Sequence, residues 1–87
     1  MKKLKPYQKI NSQEELDNLI NSNNGEPLEC FIMLSFGFRS SKDISFDENG
    51  DYYVFNEIDG SEEIIKYDNL NSTILGEALS KGCLYKY

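Results

Sequence analysis

Histidine is missing from this chain of 87 residues. Its absence excludes imidazole acid–base chemistry, the Ser-His and Cys-His nucleophile pairs, and most zinc and iron sites. Cysteine is scarce. Cys30 and Cys83 are the only two, both in apolar, strand-like surroundings, so they read as reduced core residues and not as a disulfide. Arginine occurs once, at Arg39. No stretch approaches 18 consecutive apolar residues, which excludes a membrane-spanning helix. Met1-Lys2-Lys3-Leu4-Lys5 is basic, but no apolar signal-peptide core follows it, so a cytoplasmic location is expected.

Basic residues are also unevenly spread. Lys2, Lys3, Lys5 and Lys9 make residues 1–10 a basic N-terminal arm without a single acid. Residues 11–87 hold five bases against fifteen acids, and the whole chain carries a net charge of −6. Between positions 43 and 63 there is no base at all, against eight acids: Asp43, Asp47, Glu48, Asp51, Glu57, Asp59, Glu62 and Glu63. A body this acidic repels nucleic acid and attracts basic protein surfaces.

What is present is a core sufficient for one small domain spanning residues 1–87. Its organising stretch is Leu28–Phe36. Leu28, Cys30, Ile32, Leu34, Phe36 and Phe38 form one fully apolar period-two face, and Phe31 and Met33 make the other face half apolar. That pattern predicts a central strand with further layers contacting both faces. Before it, Ser12 with Glu15 three residues on has capping-box spacing, and Leu16, Leu19 and Ile20 supply a helical stripe that ends at Asn21–Gly25. After it come a polar interruption at Gly37–Lys42, a strand carrying Ile44 and Phe46, and a turn at Asn49-Gly50. A third strand over Tyr52–Ile58, a turn at Asp59-Gly60 and a fourth strand carrying Ile64 and Ile65 follow. A C-terminal helix starting at Asn71 or Ser72 buries Ile74, Leu75, Ala78 and Leu79, and Gly82 caps it. The expected fold is therefore α+β: an antiparallel sheet of three to four strands with an N-terminal and a C-terminal helix, in the order α-β-β-β-β-α. Cys83–Tyr87 is a candidate short edge strand.

Three groups of residues could carry chemistry. Arg39, Ser40, Ser41 and Lys42 offer a cluster of donors suited to a small anion or nucleotide, but the segment lacks the second glycine and following helix of a phosphate loop. Asp47, Asn49 and Asp51 open like a calcium loop, and Tyr52 and Ile58 then stand where that loop needs glycine and glutamate. Glu57 and Asp59 are two apart on a strand, too simple an arrangement for acid–base catalysis without a cleft. No enzymatic activity, cofactor or metal is expected. The acids from Asp43 to Glu63, together with Tyr53 as amphipathic interface material, form the expected partner-binding surface.

The segments Gly37 to Ile44, Ile58-Asp59-Gly60-Ser61 and Ile74 to Gly82 resemble small proteins carried by phages and prophages of AT-rich Gram-positive bacteria. The element order and acidity are also similar to one group of anti-CRISPR proteins. The resemblance implies an inhibitor acting in the cytoplasm of a bacterial host cell. Its partner would be the basic surface of a host protein such as a nuclease, blocked by DNA mimicry. The resemblance assigns no individual residue a role. The alternative expectation is a sponge for a small anionic ligand or nucleotide, using the Gly37–Lys42 segment.

Overall fold

At Ser12 the backbone is still extended, and its hydroxyl accepts the Glu15 amide at 3.1 Å, starting helix α1 (Gln13–Asn21) as the capping-box spacing predicts. Leu16 and Ile20 are buried by this helix and Leu19 is partly buried. Asn24 and Gly25, both at positive φ, turn the chain into strand β2 (Leu28–Met33). A tight turn through Ser35–Gly37, closed by the Leu34 amide on the Phe38 carbonyl at 2.7 Å, leads into β3 (Arg39–Phe46). Strands β4 (Tyr52–Asn56) and β5 (Ser61–Ile65) continue the meander. A 3₁₀ segment at Tyr67–Ser72 and helix α2 (Ile74–Lys81) follow, with Thr73 capping the helix through the Gly76 amide. Gly82 ends α2 in the left-handed conformation. A computed structural model describes residues 7–87, the side chain of Phe36 excepted. The expected basic arm at Lys2, Lys3 and Lys5 lies outside the described residues.

The α+β class stands, but among the described residues the sheet has six strands instead of three or four. All are antiparallel, in the order β1-β6-β2-β3-β4-β5. The additional strands are β1 (Gln8–Lys9), too short to show an alternation of its own, and β6 (Leu84–Lys86), which falls within the candidate strand Cys83–Tyr87. But β6 is not an edge: it lies between β1 and β2, with the Met33 amide on the Cys83 carbonyl and the Tyr87 amide on the Glu29 carbonyl. The end of the basic arm is thus built into the sheet, and Ile10 is wholly buried.

Both helices pack on one face. There Leu28, Cys30, Ile32, Ile44, Val54, Ile65 and Leu84 meet Leu16 and Ile20 from α1 and Leu75, Ala78 and Leu79 from α2. Each such aliphatic contributes about 1.5–3 kcal/mol by leaving water. Tyr52 belongs to this face and is fully buried. Its hydroxyl donates to Asp17 and accepts from Gln13, so burial leaves no unpaired oxygen. Gly76 is where α2 touches the 3₁₀ segment: a Cβ there would stand 2.0 Å from the Leu70 carbonyl oxygen.

Three expectations need correction. The central strand does not run to Phe36. It ends at Met33 because the chain turns, leaving Leu34 and Phe38 exposed. Ile74 is 76% exposed: it is the first residue of α2, at the end of the helical layer and not under it. Layers on both faces of β2 are replaced by helices on one face only. Among the described residues no helix covers the other. No helix of the described chain is long and apolar enough to cross a membrane.

Candidate functional site

On the uncovered face, register sets the neighbours. Phe31 lies between Tyr85 of β6 and Ser41 of β3. The next row runs Glu29, Asp43, Phe55, Glu62 across β2, β3, β4 and β5. Phe31 is 0% exposed although no helix lies over it. Its cover is made of side chains from its own sheet. Tyr85 stacks on it at 5.4 Å and Tyr87 tilts against it at 4.7 Å. Tyr7 meets it edge-on at 5.1 Å. The Arg39 guanidinium lies 4.8 Å from the Phe31 ring centroid and 4.4 Å from that of Tyr7, a cation–π arrangement. Hydrogen bonding to the Tyr7 phenol raises the Arg39 pKa further, and Ser41 Oγ and the Tyr87 hydroxyl, 2.7 Å apart, tie the rings to β3.

Beside this aromatic group stand three carboxylates from three neighbouring segments. Glu29, Asp43 and Glu57 bring one oxygen each within 4.8 Å of the others. A hydrogen bond shared with Asp43 raises the Glu57 pKa, with desolvation and the charges of Asp43 and Glu29 adding to it. Asp43 Oδ1 is buried and has no hydrogen-bond partner among the described residues. A hollow of about 370 Å³ opens next to the trio, lined by Asn23, Glu26, Pro27, Glu29 and Asp43. Glu29, Asp43 and Glu57 are the residues among those described that could hold a metal ion. A hard divalent cation takes six or more oxygens, so three carboxylates would be part of such a shell.

The expected acidic row is not continuous. Asp43 and Glu57 reach the open face, where Glu62 accepts a hydrogen bond from the Tyr53 hydroxyl. Asp47 instead closes its own loop, accepting the Asn49 and Asp51 amides at 2.9 Å. Asp51 is nearly buried and accepts the Tyr67 amide and the Lys66 ammonium, which hold its pKa below the usual range. Asp59 is likewise held low by two hydrogen bonds from Ser61. Glu48 is exposed in the loop, and Glu63 lies on the helix side, in register with Val54. Turn residues share numerical parity with strand residues without sharing their face, because a loop breaks the period-two alternation.

The anion cluster is corrected too. Arg39, Ser40, Ser41 and Lys42 are consecutive residues of β3, so their side chains alternate. Arg39 and Ser41 join the aromatic group, while Lys42 faces the helix side and donates to Asn56. Ser40 pairs with Ile32 on that same side. They do not converge. Cys30 is inert as a nucleophile, because burial pushes its thiol up to about 12. Sequence reasoning missed Glu29, Phe31, Tyr85, Tyr87 and Tyr7 as site residues. Their odd-number parity was visible, but nothing local shows that β6 inserts beside β2.

No protein-family model, curated protein or solved structure matches the chain.

Proposed function

We propose that the chain is a non-enzymatic binding module that docks a basic protein surface on its uncovered sheet face. One observation carries this reading: the Glu29–Asp43–Glu57 trio shares the uncovered face with a partly exposed cluster of tyrosines around Phe31. Carboxylates select a positive partner and fix its register, and tyrosine rings supply contact area at low entropic cost. Proteins that grip nucleic acid carry rows of lysine and arginine, so a nucleic-acid-acting protein is a fitting partner class. In that reading the chain is an inhibitor, of the kind phages and mobile elements carry.

The test compares two variants of equal net charge. Glu29→Lys with Glu57→Lys reverses the face, and Glu14→Lys with Glu48→Lys reverses two exposed acids away from it. Capture of a partner from bacterial lysate should fall by about tenfold or more for the first pair only, and should weaken as salt screens the exposed charges. Equal losses for both pairs would show that binding reads net acidity and not this face.

A further inference from the structure

Strand β5 is the last strand of the sheet, paired with β4 on one side and, among the described residues, with no strand on the other. Its residues Ser61, Glu62, Glu63 and Ile64 are all exposed, although they alternate between the two faces. The helical layer therefore stops short of this edge. On the open side Ile64 is 59% exposed, and Ile58, just before the strand, is 70% exposed. On the helix side a cavity of about 310 Å³ lies against Glu63, walled by Lys42, Thr73, Ile74 and Leu75. An unpaired edge with apolar surface on one side and a cavity on the other is suited to strand addition. Backbone hydrogen bonds then supply affinity, and alternate side chains find separate pockets.

Edge strands are commonly blunted by lysine, proline or a bulge. Here the charges are Glu62 and Glu63, and no base lies within the strand. Antiparallel pairing with a second copy over the full strand would set Glu63 against Glu63, so the charge pattern disfavours self-association and favours the opposite sign. We propose that the free edge of β5 accepts an extended, lysine- or arginine-bearing segment of a partner protein as a seventh strand. Glu62 and Ile64 border the open face, but the unpaired backbone of β5 lies outside the Phe31 cluster and the carboxylate trio, and the inference stands on its own observations.

The probe is a capped hexapeptide alternating lysine and valine. Controls alternate lysine with proline, or glutamate with valine. Amide hydrogen exchange, followed residue by residue by NMR, should slow about tenfold or more at those Ser61–Ile65 amides that point away from β4, with the lysine–valine peptide only. Glu62→Lys with Glu63→Lys should keep the melting temperature, lose the lysine–valine peptide and gain the glutamate–valine one. The proposal is overturned if no β5 amide slows, or if the lysine–proline peptide works equally well. It is also overturned if protection appears without peptide and grows with protein concentration, which would mark a second copy as the occupant. Resonance shifts confined to Phe31 and Tyr85 would overturn it as well, while leaving the aromatic-face reading intact.

Discussion

Ile44 and Phe31 sit on neighbouring strands, on opposite faces of one sheet, and water reaches neither. Ile44 is sealed by a second layer, with helices packed over it from outside the sheet. Phe31 is sealed by the rings of Tyr7, Tyr85 and Tyr87 and by the Arg39 guanidinium, all side chains that themselves touch solvent. The first kind of cover is part of the fold's cooperative unit. The second is built of side chains at the surface, with no helix or strand laid over them. Full burial therefore describes two energetically different situations, and only the second leaves a surface free to engage something else.

Five variants test this difference. Ile44→Ala leaves a cavity under packed helices and should cost about 4 kcal/mol by chemical denaturation. Gly76→Ala, which presses a Cβ onto the Leu70 carbonyl, should cost about 2–3 kcal/mol despite the better helix propensity of alanine. Phe31→Ala removes a larger side chain than Ile44→Ala. It should nevertheless cost only about 3 kcal/mol, the low end of the range for a buried aromatic, because surface tyrosines have room to collapse into the space. If Phe31→Ala proves the more damaging of the two, the aromatic face is a second core and not a surface cover.

The smallest effects are in the pH dependence of stability, and they have opposite signs. Asp51 has a folded pKa below 3.8, so its contribution is present above that value and is lost as pH falls through the lower folded one. Asp51→Asn should flatten the acid limb of the melting curve. Glu57 has a folded pKa above 4.5, so its ionisation penalises the fold as pH rises from that value through the higher folded one. Glu57→Gln should remove that penalty and raise the melting temperature slightly at neutral pH. A fall instead would mean that the trio is held by contacts the charge repulsion does not dominate.

Much of the covered face was legible because its signals are local. Ser12 and Glu15 announce α1, Asn49-Gly50 marks a loop, and Gly82 closes α2, each through backbone geometry set within a few residues. Leu28, Cys30 and Ile32 announce a buried strand face by alternation alone. The candidate sites were less legible. Parity placed Asp47, Asp51 and Asp59 with Asp43 and Glu57, yet those three close loops or tie one segment to another. Gly37–Lys42 read as a polar loop because serine, lysine and arginine mark no strand, but pairing with β2 recruits Arg39–Lys42 into one.

Taken alone, the residues determined the α+β class, the positions of both helices, the reduced state expected of Cys30 and Cys83, and the acidity of the body. These follow from composition and from periodicities that a short window contains. Only the tertiary structure decided that β6 inserts between β1 and β2, that both helices choose the same face, and that Glu29, Asp43 and Glu57 meet. Those outcomes depend on contacts between residues that lie fourteen to more than seventy positions apart, beyond any local window. The alternation of Cys83–Tyr87 marks a strand but does not name its neighbours, and the free energy that places Leu84–Lys86 is gained only when those neighbours are already there.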